Sequence, residues 1–390
     1  MKNFCRGFPP EYLPLTILDG GMGLKKTGIL TFHCADNYGA VLQAYALMKE
    51  IQNLGHEVEI IDFRPSVIVD FYQNKSISIR ESVSRVGLYK TARRWISYKL
   101  RSKTIASRLK NFDSFRREYL SISKEKYRSF EELKGANWDF DYLVTGSDQV
   151  WNPDFFMPTG GAYFLDFGGK NVKRVSYAPS IARDVEELHY EYYVDYLKNF
   201  DHISVRERSA ERLLSKLTDK PITVALDPTL LLKADDWDRI SSTKNAVDKY
   251  VLVYDLIKDP TTVTLANNVA KEYGLKIISY GSRRGYHNWS RSFEGAHPKE
   301  FLALFRDAEF IVTSSFHGTA FSIIYNKPFY TVPHPVRGSR MIDLLRVLGL
   351  GSRIITNPEI SVTKIDFGEA NNRLGALRAR SKDFLREALC

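Results

Sequence analysis

At 390 residues the chain exceeds what one hydrophobic core usually organises, so two domains are expected. An apolar fraction of 44% with 13% aromatics excludes a disordered chain, and no run of about 18 apolar residues is present to cross a bilayer as a helix. The net charge of +10 is concentrated in residues 73–135, which hold 17 Lys and Arg against 6 Asp and Glu; such a segment suits either a polyanionic partner or a solvated helix surface.

Residues 1–21 lack the basic-then-apolar pattern of a signal peptide, and Met22 stands just before the first convincing strand. They are expected to be a non-structural extension from an upstream start. Cys5, Cys34 and Cys390 show neither pairing nor metal spacing, which points to a reducing, cytoplasmic compartment. TGILTF (27–32) reads as a strand, AVLQAYALMKEIQNL (40–54) as a helix stopped by Gly55, and HEVEIIDF (56–63) as a second, parallel strand. A basic helical insertion is expected over about 66–135. Within it, Ile105, Leu109, Phe112, Phe115 and Tyr119 form an apolar stripe, opposite Lys103, Arg108, Lys110 and Arg117.

Strands running into polar loops resume with DYLVTGSDQVWNP (141–153), KRVSYAPSIA (173–182) and NFDHISVRERSAERLL (199–214). After a break near residue 218 a second alternation follows. It comprises YVLVYDL, a helix over 261–273, LKIISYG, a helix over Pro298–Arg306, EFIVTSS, a helix from Thr319, KPFYTVP and a terminal helix. The pattern predicts two doubly wound, Rossmann-like α/β domains, 22–218 and 219–390, facing a central cleft. Ligands of such sheets sit beyond the carboxyl ends of the strands, so the strand-end loops should carry the chemistry.

In TSSFHG, His317 stands at the mouth of a helix. It is either a satisfied core imidazole or an acid/base group on an anion site, with Ser314, Ser315 and Thr319 as hydroxyl donors and Gly318 allowing close approach. Arg206 ends the strand HISV and offers a bidentate fork, or else forms a surface pair with Glu207. Asp148, after Gly146-Ser147, could hold a carboxylate over the cleft or cap the next segment, and Trp151 could stack on a sugar or pack. His33, Asp36 and Asn37 lie in the first strand–helix loop, where a ligand hydroxyl or proton acceptor belongs. Asp227, in ALDPTLL, reads as turn chemistry. There is no GxGxxG after a strand, no P-loop and no HExxH, so a metal-independent site is expected.

Taken in order, GILTFHCADNYGAVLQAYAL, IIDF, FDYLVTGSDQVWNP, VKRVSYAPSIA, ISVRERSAERLL, VALDPTLLL and IVTSSFHGTAFSIIYNKPFY resemble the polysaccharide pyruvyl transferase family over most of residues 27–332. The resemblance implies a GT-B-like fold and transfer of pyruvyl from phosphoenolpyruvate, as co-substrate and without a further cofactor, to two hydroxyls of a sugar. The acceptor would be a bacterial capsular or exopolysaccharide, or its lipid-linked repeat unit, bound on the N-terminal side. It implies Arg206, Ser314, Ser315, Gly318 and Thr319 at the donor, His317, Asp148 and Asp36 in acid/base roles, and His33, Asn37 and Trp151 at the acceptor. It departs at one loop: an Arg-Leu-His run is usual there, and this chain has Ser315-Phe316-His317. Arg283, Arg284, Arg337 and Arg340 are the candidates to restore the missing charge. Competing readings are a nucleotide-sugar glycosyltransferase and a non-catalytic anion-binding relative. Nucleic acid is not expected, for want of a motif and a second basic surface. The basic segment is expected to meet an anionic membrane face peripherally.

Overall fold

A computed structural model describes residues 24–73, 88–183, 189–243, 249–281, 285–335, 338–359 and 362–390, with side chains except at 72, 73 and 88–101. The expected extension at 1–21 and the candidates Arg283, Arg284 and Arg337 lie outside the described residues.

The first domain runs β1 (Lys26–Leu30), α1 (Tyr38–Asn53), β2 (Glu57–Phe63), α2 (Ser66–Gln73), α3 (Leu88–Tyr119), β3 (Ile122–Tyr127), α4 (Phe130–Gly135), β4 (Tyr142–Thr145), α5 (Pro153–Phe156), β5 (Lys173–Ser176), α6 (Tyr190–Leu197), β6 (His202–Val205), α7 (Arg208–Leu214) and β7 (Ile222–Val224). Its seven strands are parallel in the order β3-β2-β1-β4-β5-β6-β7. The second runs α8 (Ala234–Asp238), β8 (Tyr250–Tyr254), α9 (Pro260–Tyr273), β9 (Lys276–Ser279), β10 (Trp289–Ser292), α10 (Pro298–Asp307), β11 (Phe310–Thr313), α11 (Phe316–Ile324), β12 (Phe329–Thr331), α12 (Ser339–Val347) and α13 (Gly368–Leu389), around a parallel sheet ordered β10-β9-β8-β11-β12. The architecture is two doubly wound α/β domains that share a cleft, as expected.

Three boundaries differ from the sequence reading. β7 lies past residue 218 but pairs with β6, so the first sheet extends to Val224. β3 lies inside the expected helical insertion yet adds to the edge of β2. Although α13 ends the chain, it folds back on the first domain. Ser381 Oγ accepts from the Leu226 amide at 3.0 Å, Arg378 Nε donates to Leu230 O at 2.8 Å, and Lys382 pairs with Glu50.

The central strands form because apolar runs such as Tyr142–Thr145 and Tyr250–Tyr254 are buried along their whole length, as helices on both faces of a parallel sheet require. One apolar cluster crosses the domain junction. Tyr38 of α1 stacks on Phe301 of α10 at 4.3 Å, and its hydroxyl donates to Ala296 O at 2.9 Å. In each sheet the strand order reverses at one place, between β1 and β4 and between β8 and β11, and the carboxyl ends at these two points open onto the same cleft.

Candidate functional site

The cleft has a volume of about 400 Å³. Asp36 and Asn37, after β1, and Asp148, after β4, enter it from the first domain. Ser314, Ser315, Phe316 and His317, around the start of α11, enter from the second, and Arg340 of α12 also lines it. The helix at this loop starts at Phe316 rather than Thr319, because Ser315 is extended and accepts the Gly318 amide as an N-cap. His317 is therefore carried in a first helical turn. Its ring lies against α1: a Cβ on Gly39 would fall 1.9 Å from Nδ1.

Behind His317 sits Asp227, whose two oxygens do separate jobs. Oδ1 accepts from the Thr229 amide at 3.0 Å and hydroxyl at 2.7 Å, which is the turn chemistry its Asp-Pro sequence announces. Oδ2 accepts from Arg206 Nη1 at 2.6 Å and from Ser147 Oγ at 3.2 Å, and lies 3.5 Å from His317 Nε2. Burial would raise this carboxyl, but His317, Arg206 and Thr229 together outweigh it and hold its pKa well below the usual range. Asp227 was readable as a turn but not as the hub of the site. The available signal was its place just beyond β7, at a strand's carboxyl end.

Arg206 is buried and tethered by Asp227, with Nη2 3.9 Å from Asp148 Oδ1. It lines a smaller cavity of about 90 Å³ adjoining the cleft, and its guanidinium lies 4.7 Å from the Phe316 ring. Arg340 lines both spaces, 5.6 Å from the same ring. Burial, reinforced by the charge of Arg206, pulls the Arg340 pKa down to about 10.

The loops of the first domain are held in conformations that need support. Asp148, Ala178 and Ala182 have φ of 79°, 50° and 63°, a region that non-glycine residues rarely adopt. Glu207 binds the last of these loops: its Oε1 accepts from Ser180 Oγ and from the Ile181 and Ala182 amides at 2.8–3.1 Å. Asp36 pairs with Arg116 of α3 at 2.9 Å through Oδ1, while its buried Oδ2 has no hydrogen-bond partner among the described residues. Burial raises its pKa above the ordinary carboxylate value against the pull of Arg116, Arg108 and Arg64.

Several sequence-predicted residues do other work. His33 is fully buried, with Nε2 2.9 Å from Asp62 and Nδ1 3.2 Å from Thr31 O, so it is structural and not at the acceptor. Trp151 is also fully buried, stacked on Phe164 at 5.1 Å with its indole N–H on Tyr163 O, and no face is left for a sugar. Thr319 commits its hydroxyl to Ser315 O and Thr331, inside the core. Gly318 is small to admit Thr313 and Tyr254, whose atoms occupy the place of a Cβ, rather than a ligand. Asn37 lines the cleft but also caps α1 through the Ala40 amide. Ser314 donates to Asp255 at 2.7 Å and accepts from the Leu256 amide. Arg108, expected on the solvated face of its helix, is buried and lines the cleft; Lys103, Lys110 and Arg117 are exposed as expected.

Two parallel α/β domains with acids, a histidine and guanidinium groups gathered between their switch points define a two-lobed protein with an anion-suited interdomain site. The family model for polysaccharide pyruvyl transferase matches residues 37–334, and the chain belongs to that family. A search of functionally curated proteins gives no significant match. Among solved structures the chain is similar to a Listeria monocytogenes protein described as a UDP-N-acetylglucosamine 2-epimerase (11% identity, 94% of this chain and 91% of that one, TM-score 0.48). It is also similar to the glycosyltransferase of kitacinnamycin (11%, 94% and 99%, 0.46) and to S. aureus MnaA with UDP (12%, 94% and 91%, 0.42). Nothing about the site follows from likenesses this distant.

Proposed function

We propose that the protein transfers the pyruvyl group of phosphoenolpyruvate to two hydroxyls of one sugar in a surface polysaccharide or its lipid-linked precursor, making a cyclic ketal. The observation that carries this reading is the convergence of His317, Asp148 and Asp36 on one cleft whose wall also holds a guanidinium, in a chain of this family. A cleft of this volume suits a small donor beside a sugar ring.

In this account the methylene carbon of the donor takes a proton and becomes a methyl group, while C2 takes the first sugar oxygen. The C2–O bond to phosphate then breaks, the electron pair leaves with phosphate, and the second sugar oxygen closes the ketal. Of the two protons lost by the sugar, one balances the proton delivered to carbon and the other leaves with phosphate. His317, backed by Asp227, supplies the proton; Asp36, with its raised pKa and unpartnered oxygen, accepts one from a sugar hydroxyl. Asp148 faces the same cleft and orients the second hydroxyl.

Calorimetric titration with phosphoenolpyruvate, UDP and GDP tests the donor. Binding of phosphoenolpyruvate in preference to both nucleotides, lost in Arg206→Ala, is expected; preference for a nucleoside diphosphate sinks the reading in favour of a glycosyltransferase.

A further inference from the structure

We propose that Arg340 is the cation that holds the anionic end of the donor in the cleft, filling from helix α12 the role of the arginine absent at Ser315. The inference rests on the pyruvyl-transfer reading for the identity of the donor, though not for the existence of the anion site.

Ser315 cannot supply a positive charge, and its hydroxyl is occupied in capping α11. Arg206 has the charge, but it is partly committed: Nη1 is held by Asp227 at 2.6 Å, and the side chain lines the smaller cavity beside the cleft. Arg340 differs on both counts. It lines the cleft itself, and its Nε and Nη1 are buried with no hydrogen-bond partner among the described residues. Buried guanidinium N–H groups are rarely left unbonded, because each forgoes its bonds to water without replacement.

The neighbourhood sharpens the point. Arg206 and Arg340 both rest against the ring of Phe316, and Arg206 Nε and Nη2 also lack hydrogen bonds among the described residues. Like charges brought this close repel, and none of the nearest carboxylates hydrogen-bonds to Arg340 among the described residues: Asp227 is held by Arg206, Asp148 accepts the Gln149 amide, and Glu207 binds the Ser180 loop through Oε1 while its buried Oε2 stays unpaired. A bound dianion would supply what both guanidinium groups lack. A guanidinium fork suits it, since it meets a phosphate or carboxylate through two parallel bonds. Phe316 then has a role the sequence does not announce, as the apolar rest that sets the two guanidinium groups beside His317.

The test is calorimetry on the full chain with phosphoenolpyruvate, inorganic phosphate and UDP as probes, using wild type, Arg340→Gln, Arg340→Lys and Arg346→Gln. Arg346 lies exposed on the same helix and controls for general loss of charge. Loss of one charge-assisted pair predicts phosphoenolpyruvate binding about 10- to 100-fold weaker in Arg340→Gln, a smaller loss in Arg340→Lys and no change in Arg346→Gln. Wild-type affinity in Arg340→Gln overturns the proposal and leaves the pyruvyl donor standing. Wild type that ignores phosphoenolpyruvate but binds phosphate or UDP through Arg340 upholds the anion site and removes the donor. No anion bound by folded wild type overturns both. Should Arg340→Gln fail to fold, arginine modification by phenylglyoxal, mapped on native protein, decides instead. Saturating ligand must shield Arg340, and modification at an undiminished rate overturns the assignment.

Discussion

Gly39 and His317 belong to different domains, yet the imidazole occupies the space that any other residue at 39 would fill. Alanine there would by itself favour the helix by up to about 1 kcal/mol over glycine. Here its methyl group must displace the ring from its place in front of Asp227, at an overpacking cost of roughly 1–3 kcal/mol. Gly39→Ala should therefore gain no stability in thermal melts and should bind phosphoenolpyruvate at least about tenfold more weakly. A variant that melts higher and binds as wild type would show that the ring does not need this seat. The glycine was legible as part of the NYGA loop, but its reason was not, because the group it accommodates lies 278 positions away in the chain. Asp227 is the same lesson in another form. Its neighbours in sequence reveal the oxygen that makes the turn, and only the fold brings Arg206 and His317 to the other.

Among the elements, those that bury both faces were the ones readable in advance. TGIL, YLVT, YVLVY and FIVT are apolar because helices cover them on either side, and their burial matches. The strands missed, β3 (ISKEKY), β7 (ITV) and β10 (WSRS), are sheet edges whose side chains are half-exposed or exposed, so they carry no long apolar run. Loops were placed at the right strand ends, but position along the chain does not say which way a side chain turns. His33 and Trp151 turn inward, whereas Asp36 and Asp148 face the cleft. The inward turn of His33 has a measurable consequence. It bridges the end of β1 to Asp62 in β2, which Arg64 also contacts at 2.6 Å. Burial lowers the His33 pKa, so the unfolded chain binds a proton that the fold refuses, and stability falls as pH drops below about 6.5. Burial opposes the charge on Asp62, but its bonds to His33 and Arg64 win and bring its pKa to about 2. Its contribution is complete above the unfolded value near 4 and is lost as pH falls through about 2; it is on the order of 2 kcal/mol. Urea unfolding of wild type and Asp62→Asn should show a stability gap at pH 6 that narrows between pH 4 and pH 2. A gap independent of pH would mean that Asp62 acts through shape and not charge.

For the whole molecule the informative quantity is where its charge lies. Outside residues 73–135 the chain is close to neutral, so the excess charge sits on one segment, and the described part of that segment has two distinct faces. Arg108 and Arg116 of α3 turn inward, one lining the cleft and the other holding Asp36, while Lys103, Lys110 and Arg117 face solvent. No helix among the described residues is long and apolar enough to cross a membrane. A helix with one face on the cleft and the other toward an anionic leaflet would bring the mouth of the site close to a lipid-linked acceptor, a geometry that neutral surroundings could not favour. Each basic residue at an anionic surface contributes roughly 1 kcal/mol. Replacing Lys103, Lys110 and Arg117 together by glutamine should then weaken partition onto vesicles containing phosphatidylglycerol by about 100-fold at low salt, with little effect on phosphoenolpyruvate affinity. Flotation measures this directly, and binding should fade as salt is raised, since exposed charges separated by more than about 10 Å are screened at 0.1 M. Wild type that stays with the soluble fraction at low salt would remove the membrane-facing role and leave these residues as a solvated helix surface. Partition unchanged in the triple variant would move that role to basic residues elsewhere in the segment.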